Sequence, residues 1–275
     1  MKKNSLLILV LIVSLISACQ DNPKPITFSA VGDVPYSKEV ELEFDKNISI
    51  HNANSNSSFL IHLGDIKPGK WPCEEGIYDN VSGLLKKIDI PVYIIPGDNE
   101  FNDCDNTSEA FSLWEKYFMH FHENWEMPWK TDYQPERKEN FTWVEQDVLF
   151  VGLNLVGGSV HDSTEWNSRL KANADWIESL IQKNNKALNA LVVFGHANMD
   201  KTEKFKVFVE KFRSIAAAFQ KPILYLQGDG HYWIHDRPWK EQNIQRVQVD
   251  AGARILKVEI DTKLENPFIF TKWSD

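Results

Sequence analysis

The most constraining feature of this chain is a repeated junction. A short apolar run ends in glycine, and an acidic or imidazole side chain follows at once. Val31-Gly32-Asp33, Leu63-Gly64-Asp65, Pro96-Gly97-Asp98-Asn99-Glu100, Phe194-Gly195-His196 and Gln227-Gly228-Asp229-Gly230-His231 all have this form. The runs before them occupy 26–31, 59–63, 92–95, 190–194 and 223–226, with a further run at 148–153. Each holds four to six residues rich in β-branched or aromatic types, which predicts strands buried on both faces. Glycine lets the backbone turn sharply at a strand end, so the next side chain points into the crevice beyond. In an α/β sheet that edge is where ligands bind.

Between several of the runs lie helix-length patterns. Residues 166–181 place Leu170, Ala174, Ile177 and Ile181 on one face, and 205–219 do the same with Phe208, Phe212, Ile215 and Phe219. Strand and helix in alternation predict a layered α/β domain with crossover connections. The last part differs. Residues 247–249, 255–260 and 268–270 read as strands with no helix between them, which predicts a second, partly antiparallel sheet. Residues 100–140 break the rhythm: they are polar, carry Trp114, Trp125 and Trp129, and offer no clear strand. They read as a long insertion on the C-terminal side of the strands, where functional loops collect. Packing against the domain is the expected role of the three tryptophans, with stacking on a sugar or base as the alternative.

The N-terminus reads as an address. Lys2 and Lys3 precede an apolar stretch at 6–16, broken only by Ser14. As a helix that stretch spans roughly 17 Å, too short for a bilayer core of roughly 30 Å. A positive start, an apolar middle and a small-residue end make a secretory signal. Its end, Ile16-Ser17-Ala18-Cys19, resembles the lipobox of bacterial lipoproteins, in which the cysteine is lipidated and becomes the new N-terminus. The predicted organisation is a signal peptide at 1–18, a polar tether at 19–25 and one folded domain at 26–275. At 275 residues and 43% hydrophobic content the chain can bury a large core. Its net charge of −9 argues against a nucleic-acid scaffold and against membrane binding by charge. Membrane contact is therefore expected through the lipid anchor only, in the bacterial cell envelope on the periplasmic or outer-membrane side. Export to an oxidising compartment also allows the remaining cysteines, Cys73 and Cys104, to pair.

Several carboxylates aimed at one crevice repel each other, and a cation resolves the repulsion. Carboxylates with imidazoles are ligands of first-row metals. A lone Gly-Asp is usually a turn, so the ordered set is what carries the argument. That set resembles the calcineurin-like metallophosphoesterases, whose motifs run Gly-Asp-x-His, Gly-Asp, Gly-Asn-His-Asp/Glu, Gly-His and Gly-His-x-His. The resemblance covers roughly residues 26–260. It implies a four-layer α/β/β/α fold, two facing mixed β-sheets flanked by helices, holding two divalent metal ions that hydrolyse phosphate esters. Carried across by position, Asp65 resembles the bridging ligand, Asp33 and His231 ligands of the first metal, and Asp98, His196 and Asp229 ligands of the second. Three positions depart from the pattern. Pro35 stands where the first motif has histidine, with Tyr36 beside it as a phenolate substitute. Asp98 and Asp229 replace an asparagine and a histidine with ligand-compatible carboxylates. The shift from nitrogen to oxygen tilts the choice among manganese, iron, magnesium and zinc toward manganese or magnesium. A register one residue later would make Asn99 the ligand in place of Asp98.

A fourth departure touches catalysis. Asn99 takes the place of the family's leaving-group histidine, and an amide donates a hydrogen bond but no proton. Glu100, His62, His122 and His161 are the sequence's alternative proton donors. Lys67 and Lys70, just after Asp65, offer two cations to phosphate. If Asp65 and Asp98 meet at one metal pair, their loops run side by side, and a Cys73–Cys104 disulfide would staple them. The resemblance thus implies a metal-dependent hydrolase of phosphate mono- or diesters, with Asp65 and Asn99 in the reaction. The alternatives are a non-catalytic metal-binding or interaction lipoprotein on a degenerate phosphoesterase fold, and a Ca²⁺-stabilised scaffold.

Overall fold

Three parallel strands begin the chain's fold: β1 (Ile26–Val31), β2 (Leu60–His62) and β3 (Val92–Ile94). Parallel neighbours need crossovers, and α1 (Lys38–Asn54) and α2 (Glu75–Leu85) supply them. The structure is a computed structural model that describes residues 24–184, 187–199 and 203–272. The predicted signal peptide at 1–18 and most of the tether at 19–25 lie outside the described residues. Among the described residues no helix is long and apolar enough to cross a membrane.

Helix α1 starts where the Ser37 side chain accepts the Val40 N–H at 3.2 Å, with Glu39 and Glu41 in the first turn opposing the helix dipole. It buries only Phe44, Ile48 and His51, a stripe too narrow to announce the helix in the sequence. After β3 comes a single π-helical turn at Asp98–Asn102, then α3 (Thr107–Phe118). The second half of the chain runs β4 (Asp132–Gln134), β5 (Arg137–Glu145), β6 (Val148–Gly152), α4 (Ser163–Asn184), β7 (Ala190–Phe194), α5 (Lys206–Phe219), β8 (Ile223–Gln227), β9 (Ile234–Asp236), β10 (Ile244–Gln248), β11 (Leu256–Ile260) and β12 (Phe268–Lys272).

These strands form two mixed sheets, ordered β12-β11-β1-β2-β3 and β4-β5-β6-β7-β8-β10-β9. The sheets face each other across a core that includes Phe28, Phe59, Tyr93, Trp143, Phe150 and Phe194. Phe28 and Phe59 stack with centroids 4.9 Å apart. Helices α1, α2 and α3 cover the outer face of the first sheet through residues such as Phe44, Tyr78 and Trp114. Helices α4 and α5 cover the second through Leu170, Ile177, Phe208 and Phe212. The result is the four-layer α/β/β/α sandwich.

Two sequence expectations change. The last three strands do not build a sheet of their own. β10 lies parallel to β8 and extends the second sheet, whereas β11 pairs antiparallel with β1 and carries β12 outward on the first. Residues 100–140 are not strand-free, since they hold α3, β4 and the start of β5. β5 escaped notice because Asn140 and Thr142 interrupt its apolar pattern. Both are buried and satisfied: Asn140 Nδ2 donates to Gln134 Oε1 at 2.6 Å and Thr142 Oγ1 to the Phe150 carbonyl at 2.8 Å. The tryptophans pack. Trp114 is buried, Trp125 Nε1 donates to the Ile88 carbonyl, and Trp129 lies parallel to Trp143 at 5.7 Å.

Candidate metal centre

The five junctions belong to two sheets, not to one sheet edge. Asp33, Asp65 and Asp98 follow β1, β2 and β3, while His196 and Asp229 follow β7 and β8. Because the sheets face each other, the C-terminal ends of both sets meet at one pole of the sandwich. The turns there are sharp. Asp33, Asp65, Asp229 and His231 all have left-handed backbone, with φ of 56°, 62°, 70° and 64°. Non-glycine residues adopt that region seldom, and such conformations gather at functional sites. The second and third junctions also touch through their glycines. A Cβ on Gly64 would lie 2.5 Å from the Gly97 nitrogen, and one on Gly97 would lie 2.1 Å from the Asp65 nitrogen. Only backbone fits between these loops, and this draws Asp65 and Asp98 together.

His196 stands at the centre of the group. Its Nδ1 hydrogen-bonds the Leu63 carbonyl at 2.7 Å, which orients the ring. Its Nε2 then faces Asp65 Oδ1 at 3.2 Å and Asp98 Oδ1 at 2.9 Å. Ligand atoms of Asp33, Asp65 and His196 lie within 4.8 Å of one another, and so do those of Asp98, His196 and Asp229. Half-exposed His231 places Nε2 3.4 Å from Asp33 Oδ1. The Asp229 N–H donates to both Asp33 oxygens at 3.2 Å, and Asp229 Oδ2 accepts the Asn198 N–H at 2.9 Å. Tyr36 donates to Asp65 Oδ2 at 2.6 Å. Every ligand position read from the sequence therefore converges here.

The electrostatics are those of a site short of positive charge. Burial raises the Asp33 carboxyl above its usual range, with His231 opposing. Burial disfavours the His196 imidazolium, yet Asp65 and Asp98 outweigh it and hold His196 well above the ordinary histidine value. His196 Nε2 and Asp98 Oδ1 are buried without an aligned hydrogen-bond partner. Unpaired buried polar atoms are costly. Carboxylate oxygens around an imidazole, with two such atoms left over, fit a hard or borderline divalent cation.

The architecture has counterparts among solved structures. A dimetal phosphatase from Danio rerio superposes with a TM-score of 0.57 at 10% sequence identity, over 92% of this chain and 100% of that one. GAP50, described as the anchor in the inner membrane complex of Plasmodium, gives a TM-score of 0.59 at 10% identity, over 91% and 84%. A 5'-nucleotidase from Candida albicans gives 0.53 at 12% identity, over 90% of this chain and 51% of that one. No protein-family model and no curated protein matches the sequence itself. The chain has the metallophosphoesterase fold.

Within that metallophosphoesterase framework several residues singled out from the sequence turn out to be engaged elsewhere. The buried Glu100 carboxylate accepts the N–H groups of Asp65 at 3.1 Å and Gly97 at 2.5 Å, so it clamps two loops from behind. Burial, with Asp65 adding to it, pushes that carboxyl up to about 8. His62 is buried against the Val34 carbonyl and the Gly64 N–H, and burial pushes it down to about 4. His122 stacks on Tyr93 at 4.4 Å, and His161 bonds the Asn102 carbonyl at 2.7 Å. None of the four stands free beside the ligands. Lys67 is buried as well, its ammonium donating to the Trp71 carbonyl at 2.9 Å and not open to phosphate, whereas Lys70 is exposed.

Asn99 is a positioning residue in this geometry. Its N–H donates to Asp65 Oδ1 at 3.0 Å, and its Nδ2 donates to Asp65 Oδ2 at 2.5 Å and to the Tyr36 hydroxyl at 2.9 Å. Burial, reinforced by Asp65 and Asp33, raises the Tyr36 phenol far above its usual range, so it serves as a donor. The Cys73–Cys104 disulfide is formed, with Cα atoms 6.0 Å apart. Both sulfurs rest against the Asn99 carbonyl, at 3.7 and 3.6 Å. The sequence reading missed Gly157, whose backbone covers the ligands: a Cβ there would lie 3.1 Å from Asp98 Oδ1 and 3.3 Å from Asp229 Oδ2. The signal was present, since Gly157-Gly158 follows the run at 148–153 as the other junctions follow theirs.

Proposed function

We propose that the protein is a metal-dependent hydrolase of phosphate mono- or diesters, held in the bacterial cell envelope by lipid on Cys19. The observation that carries the reading is the pair of overlapping ligand groups, joined through His196 and lying at the strand ends of a metallophosphoesterase fold. Asp33 and His231 would hold one ion, Asp98, His196 and Asp229 the other, with Asp65 between them. Two divalent ions so held supply Lewis acidity to the phosphoryl group and lower the pKa of water at the site.

The chain's own side chains set the limits on the reaction. Tyr36 and Asn99 both donate to Asp65 Oδ2 and fix the orientation of that carboxylate. The Asn99 amide holds a phosphoryl oxygen by hydrogen bond but delivers no proton, which favours esters whose leaving groups need little protonation. A centre rich in carboxylates carries less positive charge, which favours a diester over a more highly charged monoester.

Metal analysis of the purified protein, with hydrolysis of chromogenic phosphate mono- and diesters under added Mn²⁺, tests this. Two bound ions, and turnover abolished by Asp65→Asn, are expected. Two bound ions without turnover on any ester would overturn the catalytic reading. The absence of a proton donor at Asn99 favours the second reading in that event, a metal-binding interaction lipoprotein that keeps the fold. Cys19→Ser is expected to move the protein from the membrane fraction to the soluble one.

A further inference from the structure

Beyond the positions already named, one more acid closes on the centre. Asp103 ends the π-helical turn that begins at Asp98, its N–H donating to the Asp98 carbonyl at 2.8 Å. Such turns are rare and recur at functional sites. The turn brings the two side chains together, and their carboxyl groups lie in hydrogen-bond contact with each other. Asp103 does not sit there loosely. Its carboxylate takes a hydrogen bond from the Ser159 N–H, and Asn102 Nδ2 lies 3.5 Å from its Oδ1. Gly158 packs against it so closely that a Cβ would fall 2.2 Å from Asp103 Oδ1. The glycine pair 157–158 thus presses on Asp98, Asp229 and Asp103 at once.

Two carboxylates in contact need a proton or a cation between them. A single proton would satisfy one pair of oxygens. Asp98 is only 7% exposed, and its Oδ1, beside His196, has no hydrogen-bond partner. A cation satisfies both groups where one proton leaves an orphan. We propose that Asp103 is a further metal-holding residue of this centre, adding an oxygen donor on the side of Asp98, His196 and Asp229. The inference rests on the reading that the centre binds metal. It gives that side one imidazole against the carboxylates of Asp65, Asp98, Asp103 and Asp229, a set that selects Mn²⁺ or Mg²⁺ over Zn²⁺.

Calorimetric titration of the metal-free full chain with Mn²⁺ tests the assignment. Asp103→Asn keeps the shape and removes the charge, and Asp105→Asn removes the same charge from an exposed neighbour in the same loop. The wild type is expected to take two ions. Asp103→Asn is expected to weaken one of the two steps about tenfold or more, as loss of a group supporting a metal typically does. It should also narrow the preference for Mn²⁺ over Zn²⁺, while Asp105→Asn moves neither. Melting curves of the metal-free proteins verify folding, and Asp103→Ser gives the same comparison if the asparagine variant is unstable. Two ions bound by wild type and Asp103→Asn alike, or equal weakening in both asparagine variants, would overturn this inference alone. A wild-type chain that takes up no Mn²⁺ would overturn it together with the metal-dependent reading beneath it.

Discussion

The Cys73–Cys104 bridge gives the most quantitative test. It closes a loop of 31 residues, between the segment after Asp65 and the segment after Asp98. In the chain-entropy treatment, a loop of that length removes about 12 cal/mol/K from the unfolded chain, or about 3.7 kcal/mol at 25 °C. For a domain of this size each kcal/mol moves Tm by about 2–4 °C, so losing the bridge should lower Tm by about 7–15 °C. The local effect is separable. Both sulfurs support the carbonyl of Asn99, whose amide groups hold Asp65. A tenfold loss of metal affinity would appear as about 1.4 kcal/mol less stabilisation by saturating Mn²⁺. The perturbation is the Cys73→Ser/Cys104→Ser double variant, which leaves no lone thiol, set beside wild type in reductant. Calorimetric melting with and without Mn²⁺ reads both effects. A wild-type Tm unmoved by reductant, with both thiols titrated free, would refute the stapling argument. A lowered Tm with an unchanged Mn²⁺ increment would refute the link to the metal loops.

Other expectations concern single side chains. Gly97→Ala drives a Cβ into the Asp65 nitrogen at 2.1 Å, and should cost about 4 kcal/mol or more, read by urea melts or loss of soluble protein. Trp114→Ala empties a fully buried site between Phe111 and Phe118 and should cost about 3–5 kcal/mol by the same assay. Glu145 lies away from the metal loops, with Oε2 unpaired, and burial pushes it up to about 7. A carboxyl raised in the folded state stabilises fully below its unfolded value near 4.5 and loses that contribution as pH rises through about 7. Stability should therefore fall between pH 5 and 8 by about 1–2 kcal/mol, after discounting for the solvent that still reaches the group. Glu145→Gln should flatten that part of the Tm–pH profile, and an unchanged slope would count against the assignment.

The junctions were legible in the sequence because each is local: a strand end, a glycine and a ligand within three or four residues. Their convergence was legible as an ordered set, but their division between two sheets was not. Whether the strand at 244–248 joins β8, or β11 joins β1, depends on partners far away in the chain. Helix α1 hid behind a stripe of two apolar residues and a histidine, and β5 behind buried asparagine and threonine whose hydrogen bonds replace apolar burial. The leaving-group candidates failed for a related reason. Glu100, His62 and His122 look reactive as letters, and each is spent on a backbone group or an aromatic core. Asp103 was overlooked because it lies five residues beyond its junction, and only a π-helical turn returns it to Asp98.

The left-handed backbone at Asp33, Asp65, Asp229 and His231 limits how such a centre can change. Aspartate, asparagine and histidine tolerate that conformation better than other side chains, and they are also metal-facing residue types. Glutamate and cysteine, equally able to ligate, carry a conformational cost of about 1–2 kcal/mol at each such position. The turns therefore act as a filter on inorganic chemistry. A centre built this way can drift between oxygen-rich and nitrogen-rich coordination by single substitutions, with its frame intact. Drift toward thiolate would require rebuilding the turns themselves, so the softest metals lie outside its accessible range.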